Sequence, residues 1–152
     1  MKKLKLVSNI LTILTGYSLL ILSFGIVLEI FLRAVFNFSL QGVDEYGGYV
    51  VAILVTFGIS QNLLLRGHIR IDFFFDKLSF TVQAYLNLLT YFLFFIFSCF
   101  FLFRSLGTLR DSIDYKSLSG TPLETPLWIP QFIWVLGLLF FVITSTIVFF
   151  HA

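Results

Sequence analysis

The sequence predicts an all-α integral membrane protein. Four transmembrane helices are expected at about 8–32, 45–65, 81–103 and 129–150, within a single membrane domain over residues 1–152. A short interfacial helix is expected between the second and third, with the N- and C-termini cytoplasmic. Three observations carry this reading. Charged residues make up 12% of the chain, against roughly 25% in soluble domains. Hydrophobic residues make up 59%, more apolar surface than a soluble core of this size could hide. The apolar residues also fall in runs long enough to cross a hydrocarbon layer about 30 Å thick.

The first run follows Lys2, Lys3 and Lys5 and continues from Leu6 to Leu32. A signal-peptide core spans only about 7–15 residues, so the run is read as a retained membrane helix. Glu29 and Arg33 lie four residues apart near its end, where they can pair on one face. An interfacial ion pair explains them better than an intramembrane ion site. Asp44 and Glu45 open the second helix, where carboxylates complement the positive end of the helix dipole. Within it, Gly48, Ala52, Thr56 and Ser60 recur every four residues. Such a stripe of small side chains lets another backbone approach closely, within the chain or on a partner.

The stretch from Leu63 to Leu78 is the most polar segment between two long apolar runs. Asp72 can cap a short helix, and Ile71, Phe74, Phe75 and Leu78 share one face beyond it. Arg70 and Lys77 can snorkel outward from an interfacial helix. The plainer alternative is an ordinary basic loop. The third helix is rich in Phe, with Gln83, Asn87 and Thr90 in its first half. Arg104 to Thr125 is the longest polar connection. It ends in a local repeat, Thr121-Pro122-Leu123 and Thr125-Pro126-Leu127. Trp128 and Trp134 flank the start of the fourth helix, as in an interfacial aromatic belt.

Orientation follows from Lys and Arg. Lys2, Lys3, Lys5, Arg66, Arg70 and Lys77 on one side outweigh Arg33, Arg104, Arg110 and Lys116 on the other. Both termini are therefore placed inside.

Several function classes are disfavoured. The net charge of +2 is too small to point to nucleic acid. Two distant histidines do not supply the paired axial ligands of a membrane haem protein. The single cysteine, Cys99, cannot form an internal disulfide. No phosphate loop, zinc spacing or nucleophile–base pair is present, so no enzyme activity, cofactor or metal is expected. Interrupted helices and inverted repeats, common in transporters that carry their own site, are not evident.

Five blocks then carry a resemblance, in order, over nearly the whole chain. They are Leu32-Arg33-Ala34-Val35-Phe36-Asn37, Asp44-Glu45 with Tyr49, Phe57-Gly58, Gly67-His68-Ile69-Arg70-Ile71-Asp72, and Thr125-Pro126-Leu127-Trp128-Ile129-Pro130. The chain resembles the small membrane subunit, of DctQ type, of tripartite ATP-independent periplasmic (TRAP) transporters. The resemblance implies four helices in the bacterial inner (cytoplasmic) membrane. It implies a large permease subunit that holds the substrate and sodium sites, and a periplasmic substrate-binding protein. Uptake of an organic acid, such as sialic acid or a C4-dicarboxylate, would be driven by sodium. The small subunit would steady the scaffold against which the mobile part moves.

On this basis Gly48, Ala52, Thr56 and Ser60 are expected at a helix-packing or partner interface. Arg33 is expected to contact the binding protein, and His68, Arg70 and Asp72 to form a structural motif on the cytoplasmic side. Two alternatives stay open. A small homodimeric multidrug exporter would need a membrane carboxylate, for which Glu29 is the candidate. A membrane anchor of a respiratory complex would usually need haem.

Overall fold

The computed structural model describes residues 2–40, 42–65 and 78–150. The stretch 66–77, with the expected interfacial helix and His68, Arg70 and Asp72, lies outside the described residues. Four long helices form: α1 Lys2–Phe36, α2 Val43–Leu65, α3 Phe80–Asp114 and α4 Trp128–Phe150. Each is long and apolar enough to cross a membrane. At 1.5 Å per residue, α1 and α3 measure about 52 Å, while α2 and α4 measure about 35 Å. The hydrocarbon core is about 30 Å thick, so α1 and α3 must lean in it or project beyond it.

The third helix continues past Phe103, the end expected from its apolar run, and reaches Asp114. Polarity in this part marks a change of surroundings, not the end of the helix. Ser105 and Ser112 remain buried, while Arg110 faces outward and pairs with Asp114 at 3.6 Å. The helix ends in a hydrogen-bonded reversal. Ser117 N–H donates to Ser112 O at 3.0 Å, and Lys116 N–H donates to Ile113 O at 3.2 Å.

The helices lie in a row, α1–α2–α4–α3, because α1 packs on α2, α2 on α4 and α4 on α3. Among the described residues, the two ends of this row do not meet extensively, so the helices do not close into a bundle. The inner helices α2 and α4 consequently bury more of their length than the outer pair.

Buried positions recur every seven residues. On α1 they include Ser8, Thr15 and Glu29; on α2, Thr56 and Leu63; on α3, Tyr91, Ser98, Ser105 and Ser112. On α4 the buried pairs Gly137 and Thr144, Leu138 and Ser145, and Phe141 and Val148 keep the same interval. This is the period of helices that cross at about 20°. The seams hold small side chains, which let the backbones come close where lipid provides no hydrophobic drive. Many of these hydroxyls donate to a carbonyl of their own helix. Thr15 donates to Leu11 O at 3.0 Å, Ser60 to Thr56 O at 3.0 Å and Thr144 to Phe141 O at 2.9 Å. Ser98 and Ser145 also meet across the α3–α4 seam at 2.9 Å.

The registers are fixed by a few contacts. Between α1 and α2, Gln61 Nε2 donates to Asn9 Oδ1 at 3.4 Å, and Gly47 faces Leu22. Beside that bond, the buried Ser8 and Thr12 hydroxyls and Gln61 Oε1 have no hydrogen-bond partner among the described residues. Between α2 and α4, Gly137 lies against Thr56. A Cβ at Gly137 would stand 2.3 Å from Thr56 Oγ1 and 2.9 Å from Thr56 Cβ.

Gly137→Ala should therefore destabilise the protein by about 1–3 kcal/mol, measured as thermal unfolding in detergent. Adding Thr56→Gly should recover part of that loss, because it removes the atoms the new methyl would meet. A Gly137→Ala protein as stable as the parent would mean that α2 and α4 do not touch there.

Candidate functional site

The chain alternates direction, so the 37–42 and 115–127 connections lie at the same end of the row. Two polar constructions stand at this end. The first closes α1. Arg33 donates to Glu29 Oε1, one turn back, and Ser39 donates to the same oxygen at 3.1 Å. Glu29 is only 4% exposed, whereas the Arg33 side chain is 60% exposed. The chain then turns at Asn37, whose φ of 50° is a left-handed conformation that Asn tolerates better than most residues.

The second construction joins the 115–127 connection to the start of α2. Residues 117–127 fold back on themselves. Ser119 N–H donates to Thr125 O at 2.9 Å and Leu127 N–H to Ser117 O at 3.0 Å, with an antiparallel bridge between Leu118 and Pro126. Thr121 to Glu124 make the turn, closed by Glu124 N–H to Thr121 O at 3.0 Å. Pro122 occupies the second turn position, where its fixed φ is favoured. The duplicated Thr-Pro-Leu triplets thus do different work. The first forms the turn, while the second pairs back and leads into α4.

Glu45 holds this hairpin. The Thr121 hydroxyl donates to its Oε2, from 76 positions away in sequence, and the Tyr49 hydroxyl donates to its Oε1 at 2.6 Å. Ser119 lies 3.0 Å from the Thr121 hydroxyl and accepts Thr125 N–H at 3.1 Å. Beneath them Leu123 sits on Gly42. Gly42 has a φ of +97°, and a Cβ there would lie 1.9 Å from Leu123 Cδ1. Gly42 is therefore needed both for its backbone conformation and for its missing side chain. The helix-dipole role expected of Glu45 is compatible with this geometry, but the latch to Thr121 was not visible in local sequence.

The four residues of the small-residue stripe of α2 differ in exposure. Thr56 and Ser60 are buried within the row, Ala52 is half-buried, and Gly48 is exposed with open space around it. Gly47, which lies off the four-residue stripe, is the glycine that faces α1. Ala52 borders an apolar groove of about 300 Å³, with Ile59 on the same wall, Phe97 and Phe101 on α3, and Trp134 and Leu138 on α4. Trp134 meets Phe101 edge-on, their ring centres 6.1 Å apart. This groove crosses one face of the row and contains no charged side chain. Among the described residues no three metal-ligating side chains gather.

Replacing Glu45 by Ala should free the hairpin, because the Thr121 and Tyr49 hydroxyls lose their acceptor. The loss should be about 1–3 kcal/mol, read as faster hydrogen exchange at the Ser119 and Leu127 amides. Unchanged exchange at those amides would show that the hairpin holds without Glu45.

No curated protein matches the chain. A family comparison does. Residues 22–152 match the family described as tripartite ATP-independent periplasmic transporters, DctQ component. The match takes in α2, α3 and α4, the second part of α1 from Leu22 on, the Glu29–Arg33 pair and the Glu45 latch. With four helices able to span a membrane, this is a multi-pass membrane protein. The chain belongs to the DctQ family, the small membrane component of TRAP transporters.

Proposed function

We propose that this chain is the scaffold subunit of a sodium-driven transporter that takes up an organic acid, such as a sialic acid or a C4-dicarboxylate. Its partners in this reading are a large permease subunit in the bacterial inner membrane and a periplasmic substrate-binding protein. The observation that carries the proposal is the open row of helices. A closed bundle would turn apolar faces inward. This row leaves its broad faces apolar and uncovered, with Phe132, Leu136 and Ile143 of α4 and Val51 and Val55 of α2 all exposed. In a membrane such faces are met by lipid or by other helices. A plate of this shape suits a part that stays fixed while a larger partner moves.

Family membership supports the assembly, and the groove beside Ala52 offers a seat for a partner helix. Gly48 and Ala52 would then face the permease, while Thr56 and Ser60 hold α2 within the row. Arg33, exposed beyond its bond to Glu29, would meet an acidic rim of the binding protein. His68, Arg70 and Asp72 would turn the chain at the inner surface and seat the short helix there. The exporter and respiratory-anchor readings gain nothing from the geometry. Glu29 is already bonded to Arg33 and Ser39.

Ala52→Leu tests the partner interface, because it adds bulk to the groove that Ala52 borders. Co-purification of the permease should fall by on the order of tenfold, as one overpacked contact implies, while the chain's own thermal unfolding stays unchanged. Normal co-purification and uptake would remove Ala52 from the interface. For Arg33, the paired change Glu29→Gln with Arg33→Gln avoids stranding a buried carboxylate. Uptake should drop while the membrane complex stays intact. Normal uptake would leave Arg33 as a helix-end charge only.

A further inference from the structure

The contacts between neighbouring helices fix how high each stands in the row, and their polar ends do not come out level. The 37–42 and 115–127 connections mark the upper end. Asn9 meets Gln61 and Leu22 faces Gly47, so Glu45, at the top of α2, stands close to the level of Phe24 on α1. Glu29 and Arg33, the polar top of α1, lie about 10 Å higher. Gly137 against Thr56 brings Glu45 close to the level of Pro126, just before α4. Ser98 meets Ser145 and Phe101 meets Trp134, so Arg104 stands close to the level of Val135. That is about 10 Å below Trp128, where α4 starts. From α1 to α3 the polar top of the row falls by about 25 Å.

The lower boundary falls the same way. Lys5 on α1 is nearly level with Leu65, the last residue of α2, and α4 ends slightly lower at Phe150. The α3–α4 contacts put Gln83 about 10 Å lower again. A bilayer cutting these helices at right angles would conflict with both boundaries. Set to cover α2 and α4, it would hold the exposed Arg104 near mid-depth and take in Arg110 as well. Charged side chains are costly there. It would also leave Ile30 and Phe31, 62% and 55% exposed, in water.

A leaning row removes the conflict. Three interaxial steps of about 9 Å make the row about 27 Å wide, so a drop of about 15–25 Å corresponds to a lean of about 35°. At that angle a helix crosses a hydrocarbon layer about 30 Å thick in about 37 Å, or about 24 residues. The inner helices α2 and α4 have 23 residues each.

We infer that the surface this chain presents to the bilayer is an oblique band, and that the four helices cross the membrane leaning together by about 35° in the plane of the row. Arg33, Gly42, Trp128 and the turn of α3 beyond Arg104 then come out at one membrane surface. Lys5, Leu65, Phe150 and Gln83 come out at the other. The lean requires only that the chain spans a membrane, and it does not depend on the transported substrate or on how a permease docks.

Two pairs of exposed positions test the lean. Ile30 and Leu106 differ in height along the helices by about 20 Å, and Val7 and Tyr85 by about 17 Å, whereas a lean of about 35° brings each pair to one depth. Cys99, the only cysteine, is replaced by Ser. Spin labels are then placed one at a time through Ile30→Cys, Leu106→Cys, Val7→Cys and Tyr85→Cys in the full chain, in phosphatidylcholine vesicles. Collision rates with oxygen and with a water-soluble nickel chelate give the depth of each label. The two members of each pair should lie within about 8 Å of one another in depth, and a larger separation in either pair would overturn the lean. The unaltered chain gives a second measurement, which holds even where a labelled variant fails to fold. In oriented bilayers, the polarised infrared dichroism of its amide I band should give a mean helix tilt above about 25°, against an average of about 20° for membrane helices, and a smaller tilt would overturn the lean as well.

Discussion

Close approach between helices is the constraint on which the rest depends. In lipid, burying leucine against leucine gains little over leaving it in the acyl chains, so helices associate where their backbones can come near. Gly137 against Thr56 and Ser98 against Ser145 are two such points. The first joins α2 to α4 and the second joins α4 to α3. With α1 held on α2, these contacts string the helices into a row, α4 serving as an inner member with neighbours on both sides. The latch at Glu45 then ties the hairpin before α4 to the start of α2, at the end where α2 and α4 both begin.

Much of this was legible in the amino-acid order. Four apolar runs announced four spans, whereas the Thr-Pro-Leu repeat stood out only as a repeat, and the turn from Thr121 to Glu124 came from the fold. The end of α3 was not legible from hydropathy. Between Arg104 and Asp114 the chain is polar, yet Ser105 and Ser112 continue the seven-residue interval set by Tyr91 and Ser98. Hydropathy senses lipid, whereas helix continuity depends on backbone bonding and on one buried face. The interval itself was the available signal. It is easy to miss because serine seldom marks a buried position.

The candidate site was less legible. The four-residue stripe on α2 drew attention to Gly48, but its neighbour Gly47 faces α1, and Thr56 finds its partner in Gly137. A spacing identifies one face of a helix and cannot say which neighbour lies against it. Glu45 shows the same limit across 76 positions. Its carboxylate fits a helix start well enough that no second partner is needed to explain it. Thr121, in turn, looks like ordinary turn chemistry until the hairpin folds onto α2.

The hydroxyls that donate to their own helix have a consequence for how the protein is made. Thr15, Ser60, Ser105 and Thr144 already have an acceptor one turn back, before any neighbour arrives. Ser98 and Ser145 do as well, each bonded to a carbonyl of its own helix in addition to facing the other. A nascent segment carrying these residues can leave the translocation machinery alone, without presenting those donors to acyl chains. Insertion and assembly are thereby separable steps. The chain can place its spans one after another in bare lipid, and the row can form afterwards by lateral encounter.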